Sequence, residues 1–226
     1  MLILAIDTAL AACSAAVFDA ATDELLASES PEMQRGHAEA LMPLIVRVMD
    51  AARLDFADLD RIAVTVGPGS FTGLRVGIAA ARGIALAAGR QAVGVSTLAA
   101  YAAPCIAEDL ADVVVSAVDA RHGHVYVQVF AGAGRSLLPA SYMPIVEAVR
   151  VAEGQVHLAG SAAELLRQHW PADAPAPQIR DARSAPDITW VARLGAAAHP
   201  DHAPAKPLYL RAPDARPQEG AHLPRQ

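Results

Sequence analysis

The stretch LAIDTALAACSAAVFDAATDELL, residues 4–26, can be laid without a gap on SAVDARHGHVYVQVFAGAGRSLL, residues 116–138, at an offset of 112. Ala5 then falls on Ala117, Val17 on Val129, Phe18 on Phe130, and Leu25 and Leu26 on Leu137 and Leu138, with Ile6 over Val118. A self-match across three expected strands points to an internal duplication. It requires two similar lobes, each opening on a strand that ends in an aspartate, Asp7 or Asp119, directed into the space between them.

Local pattern fills in the first lobe. LILAI (2–6) is a continuous apolar run, as expected of a strand covered on both faces. SAAVFDA and ELLASES follow after short polar turns and complete an antiparallel meander. From His37 to Ala52 the period becomes helical, with Leu41, Leu44, Ile45, Val48 and Ala52 on one face. Pro43 either kinks this helix or marks its first turn. RIAVTV (61–66) is a strand, followed by a helix to about Ala88, a short strand at 92–96 and a short helix at 97–106. The second lobe offers a strand at 156–160 and helices at 161–170 and 187–198, with irregular loops around 171–177. The expected division is 1–108, 109–211 and a disordered tail over 212–226.

The glycine-rich stretch VGPGSFTGLRVG (66–77) raises the question of phosphate binding. It has no lysine and is not a Walker A loop. Gly69, Gly73, Gly77, Ala81 and Ala85 recur every four residues, a helix stripe with almost no side chains that admits another backbone closely. The helix start at Ser70–Thr72 offers free N–H groups to an anion, so Ser70, Thr72, Asp7 and Asp119 are the anion-site candidates. Packing is the favoured role of the stripe.

Metal and nucleophile chemistry find little support. His37 has leucine four residues on, where a helical zinc pair needs a second histidine, and His122 and His124 lack a third partner. Cys13 and Cys105 match no metal or redox spacing and read as buried thiols. The formal net charge of −6 disfavours a free-standing nucleic-acid binder. No signal peptide is apparent, no uncharged run is long enough to span a membrane, and the chain reads as cytosolic.

Duplicated halves with meanders and strand-end aspartates describe the actin/Hsp70/sugar-kinase ATPase fold: α/β, RNase H-like, each lobe a mixed sheet with flanking helices. The strings ILAIDTALAACSAAVFD, GHAEALMPLI, VGPGSFTGLRVGIAAARGIALA, VGVSTLAA, VDARHGHVY and the closing KPLYLR together resemble the TsaB (YeaZ) family. The resemblance is dense from Met1 to about Phe130. It implies a non-catalytic partner of a TsaD homologue in making threonylcarbamoyladenosine at position 37 of ANN-decoding tRNAs. It further implies work with the TsaE ATPase, contact with tRNA only through the complex, no metal, no cofactor beyond a nucleotide in the assembled complex, and a homodimer when alone. Pairing through the N-terminal helices places His37, Leu41, Leu44, Ile45, Val48, Gly69, Gly73, Arg75, Gly77, Ile78 and Arg82 at the partner interface. The competing functions are an ATP-dependent phosphotransferase, which Asp7 and Asp119 favour and the missing glycines beside them oppose, and an M22-type metallopeptidase, which nothing local supports.

Overall fold

The computed structural model describes residues 1–108 and 113–211; the tail expected over 212–226 lies outside them. The first sheet holds β1 (Leu2–Asp7), β2 (Ser14–Asp19), β3 (Glu24–Glu29), β4 (Arg61–Gly67) and β5 (Gln91–Ser96) in the order β3-β2-β1-β4-β5. The second holds β6 (Val113–Arg121), β7 (His124–Ala131), β8 (Ser136–Pro144), β9 (Val156–Ala159) and β10 (Gln178–Asp181) in the order β10-β9-β6-β7-β8. Numbered within its own half, each sheet runs 3-2-1-4-5, an antiparallel meander extended by two parallel strands. Helices α1 (His37–Ala52), α2 (Phe71–Ala88) and α3 (Thr97–Ala107) in the first half correspond to α4 (Ile145–Ala148), α5 (Ala163–Gln168) and α6 (Ile188–Ala197) in the second. This is the duplicated actin-like fold.

β1 is apolar throughout because both its faces are covered. Leu4 and Ile6 pack with α1 and α2, while Ile3 and Ala5 pack with Ile188, Val191 and Ala192 of α6. The helix that closes the second half thus lies on the first sheet. Conversely α3, which closes the first half, packs on β6 and β7 through Leu98, Tyr101, Ala102 and Cys105. The two sheets divide between Ser96 and Val113, and α6, Leu208 and Tyr209 pack with the first lobe. Arg61 at the start of β4 fixes the exchange, its Nη1 donating to the carbonyls of Gly195, Ala196 and Ala198 at 2.9, 2.9 and 2.8 Å. Beyond α6 the chain runs on as a strap: Gly94 N–H donates to Ala203 O and Leu208 N–H to Val66 O, both at 2.8 Å.

α1 runs through Pro43 as one helix of 16 residues. In the second lobe α4 and α5 shrink to 4 and 6 residues against 16 and 18 in the first. Elements of 4 residues show no period, which is why α4 and β10 have no clear signature in the sequence.

Strand pairing revises the expected alignment of the halves. Phe18 lies opposite Ile3, and Phe130 lies opposite Val114, not Val115. The second strands therefore match at the offset of 112 while the first strands are slipped by one. Tyr126 pairs with Val118 where Ser14 pairs with Asp7. The counterpart of Asp7 is Val118, and Asp119 takes the place of Thr8. Because side chains alternate across a sheet, one residue of slip reverses the face.

Candidate functional site

Between the lobes lies a cleft of about 620 Å³, lined by Ala9, Leu10, Gln34, His37, Gly69 and Ser70 from the first lobe and Asp119, Arg121, Tyr126 and Ser161 from the second. Asp7 does not reach it. Its side chain is fully buried: Oδ1 accepts from Thr65 Oγ1 and from Ala9 N–H at 2.9 Å, and Oδ2 has no partner. Burial raises its pKa above the ordinary 3.8; the hydrogen bonds from Thr65 and Ala9 and the nearby His37 oppose the rise only in part. Asp119 does line the cleft, yet its carboxylate is occupied locally, accepting from Arg121 N–H at 2.8 Å and pairing with the Arg121 guanidinium at 3.3 Å. The expected pair of inward aspartates is thus corrected to one buried acid and one ion pair.

The other anion candidates separate as well. Ser70 caps α2 through Oγ, which accepts from Gly73 N–H at 3.3 Å, while its own N–H donates to Ala9 O at 2.7 Å. Thr72 faces a different hollow of about 400 Å³ beside Gly36 and His37. His37 Nε2 donates to Leu10 O at 3.1 Å.

A magnesium nucleotide, which the fold class implies, does not fit this arrangement. Its strand-end carboxylate is walled off, the turn at Gly69–Ser70 is held against Ala9, and Arg121 stands beside the acid opposite. Among the described residues no three of His, Cys, Asp and Glu gather at a metal-holding distance.

The glycine stripe is an internal packing device. A Cβ on Gly69 would fall within 3.0 Å of the Ala9 carbonyl, and on Gly73 within 3.0 Å of the Thr8 carbonyl; on Gly77 it would strike Thr8 Oγ1. Thr8 Oγ1 also donates to Gly73 O at 2.7 Å. The stripe admits the backbone after β1, not a second helix. The expected interface is corrected in the same way. Leu41, Leu44, Ile45, Val48 and Ile78 lie in the first lobe's own core, at most 4% exposed, and Gly73 and Gly77 are buried. Of that set, Arg75 and Arg82 are exposed and His37 is half-buried.

The exposed surface of these helices is made of other residues. Met42 and Val46 of α1 are 44% and 45% exposed, four positions apart on one crest. Ala79 and Gly83 form the outer crest of α2, and a Cβ on Gly83 would meet nothing. On the strap side of α2, Phe71 lies 5.5 Å from the Tyr209 ring, and the Arg75 guanidinium sits 3.8 Å over Phe71 with Nε 3.3 Å from Tyr209 Oη. A search for buried faces finds the core side of such helices. The exposed side shows only as apolar residues out of phase with that period, as Met42 and Val46 are.

Comparison with known proteins follows the same lines. A model of the family described as TsaD, tRNA N6-adenosine threonylcarbamoyltransferase, matches residues 28–172. The tRNA threonylcarbamoyladenosine biosynthesis protein TsaB of Escherichia coli is 39% identical over 126 residues, 56% of this chain and 53% of that protein, so the match spans about half its length. An uncharacterized protein of Mycobacterium tuberculosis (strain H37Rv) is 34% identical over 215 residues, 95% of this chain and 94% of its own. The solved structure of YeaZ from Pseudomonas aeruginosa superposes with a TM-score of 0.74 at 28% identity, covering 92% of this chain and 99% of that one.

Proposed function

Because the chain belongs to the TsaB (YeaZ) family, we propose that it is the non-catalytic partner of a TsaD homologue in forming threonylcarbamoyladenosine on tRNA. The TsaE ATPase acts with the assembled pair. The observation that carries this reading is where exposed apolar surface lies. Of nine large hydrophobic side chains that stand exposed among the described residues, Met42 and Val46 share one crest of α1. Contiguous exposed apolar surface marks an interaction site. The crest between Met42, Val46, Ala79 and Gly83 is small and apolar, suited to a closely packed helix of a partner. A TsaD homologue suits it, because this chain is itself similar to the TsaD family over residues 28–172. Two related chains can meet through equivalent helices, and without TsaD the same crest pairs two copies with two-fold symmetry.

The cleft supports the non-catalytic part. Asp7 is sealed, and Asp119 is engaged by Arg121, so neither is free to hold a metal or activate water. The test is Val46→Glu, on a crest where a charge leaves the core untouched. Co-purification with the TsaD homologue and threonylcarbamoyladenosine content of cellular tRNA are expected to fall together, while the far-ultraviolet dichroism of the variant stays that of wild type. Normal pairing by the folded variant would refute the assignment of this crest.

A further inference from the structure

Charge is distributed unevenly over this acidic chain. From Arg61 to Ala107 there is no aspartate or glutamate, and none from His202 to Arg211. These two acid-free segments lie side by side, as α2 and the strap. Between them runs a groove of about 620 Å³, with Arg82, Leu86 and Arg90 on one wall and Lys206 on the other; among the described residues Asp201 is the one acid lining it. Among the described residues, the side chains of Arg82 and Lys206 make no hydrogen bond or ion pair, and Arg90 donates only to Ala57 O, at 3.1 Å. Arg82 and Lys206 thus have their charges directed to solvent, free to meet a ligand.

The same flank ends in the Phe71–Arg75–Tyr209 cluster. Phe71 and Tyr209 are each 48% exposed. The strap is seated to present Tyr209: a Cβ on Gly94 would crowd Pro204 O, and one on Gly67 would lie 3.2 Å from Leu208 O. Glycine at these two sites therefore lets the strap's backbone lie against the sheet. By helical phase Phe71, Arg75 and Arg82 fall on the strap side of α2, away from the crest next to α1. Arg75 and Arg82 are two turns apart, about 10 Å along the axis, so the cations form a line and not a point.

We infer that this flank is an RNA contact, in which Arg82, Arg90 and Lys206 follow the phosphodiester backbone and Tyr209, backed by Phe71 and Arg75, stacks an unpaired base. Aromatic faces beside a basic track are the elements of single-strand recognition. The inference rests on the tRNA role proposed above and adds a direct contact by this chain. An acidic protein surface would satisfy the cations but would leave the exposed Tyr209–Phe71 stack without a use.

The experiment titrates an unmodified tRNA transcript against the chain paired with its TsaD homologue, from 50 to 200 mM salt. The triple variant Arg82→Gln, Arg90→Gln, Lys206→Gln is expected to flatten the log–log salt slope by about 2, so that the wild-type advantage shrinks about 10–20-fold across that range. Tyr209→Ala is expected to weaken binding about tenfold at every salt concentration. An unchanged slope and affinity in the triple variant overturns the inference. So does loss of pairing with the TsaD homologue in that variant, which would make the flank a protein interface. If the wild-type pair does not assemble, the tRNA-complex reading fails on its own account. The same titration on this chain alone then decides the RNA contact by the same slope difference.

Discussion

Gly73 and Gly83 lie on the same helix and should respond to alanine with opposite sign. A Cβ on Gly73 would fall well inside 3.0 Å of the Thr8 carbonyl oxygen, a distance real Cβ atoms do not adopt. The obstacle is backbone, so no side chain can swing aside. To relieve it, the start of α2 must lift by about 1 Å from the end of β1, overpacking that costs about 1–3 kcal/mol. That shift also strains the buried Thr8 Oγ1 to Gly73 O bond of 2.7 Å and the Ser70 N–H to Ala9 O bond of 2.7 Å, each contributing about 0.5–1.5 kcal/mol. Alanine's better helix propensity returns about 1 kcal/mol. Gly73→Ala is therefore destabilising by about 1–5 kcal/mol. Gly83→Ala meets nothing and keeps the whole propensity gain, so it stabilises by up to about 1 kcal/mol. Urea unfolding of both variants at one fixed protein concentration reads the difference, because self-association would otherwise shift both midpoints. A neutral or stabilising Gly73→Ala would refute the view that close approach to Thr8 explains the glycine.

Three further outcomes follow from the same contacts. Arg61→Met leaves three carbonyls at the end of α6 without their cation and is expected to cost about 1.5–3 kcal/mol, lowering Tm by about 3–12 °C; an unchanged Tm would mean the clamp contributes nothing. Asp7→Asn reports on the sealed acid. Its folded pKa is raised above 3.8, so the folded state holds the proton more tightly, and stability is lost as pH rises through the folded value. Asn has no such loss, so the stability of Asp7→Asn relative to wild type should climb between pH 4 and 8; a flat difference in urea melts across that range would contradict the burial argument. Cys13, with its thiol pushed up to about 11 by burial and by Asp7, should react slowly with a thiol reagent at pH 7.5, and rapid labelling of the folded chain would refute that.

What the sequence exposes is periodic, and what it hides is packing across the lobes. The continuous apolar run of β1 and the alternating helical phases of α1 and α2 were legible because each is long enough for its period to repeat. The exchange of α3 and α6 was not. DITWVARLGAAA carries a helical period but nothing that says which sheet it covers, and Gly195 shows its purpose only when Ala63 lies directly against it. The glycine stripe sits between these cases. Its spacing announced close approach, but only the fold shows that the approaching backbone is Thr8–Ala9. The core face of α1 was legible as apolar and was assigned to a partner, because a sequence does not say whether an apolar face is covered within the chain or by another.

The slip between the two first strands shows why a near-perfect repeat can carry two different chemistries. Aligned by identity, Asp7 and Asp119 are equivalents. Aligned by pairing, Asp119 stands one residue further along, opposite Val125, where β6 carries a register shift before Arg121. In the first lobe the acid falls on the face of β1 that carries Ile3 and Ala5, sealed with Thr65 and Ala9 around it and one oxygen unpartnered. In the second it falls on the other face, reaches the cleft and meets Arg121. Arg121, His122 and Gly123 all adopt positive φ, a left-handed run that turns the hairpin within two residues and brings the guanidinium back over Asp119. Two catalytic carboxylates facing one ligand require the same register in both lobes. Here the duplication preserves the scaffold and not the register: Tyr126 lies opposite Val118 where Ser14 lies opposite Asp7.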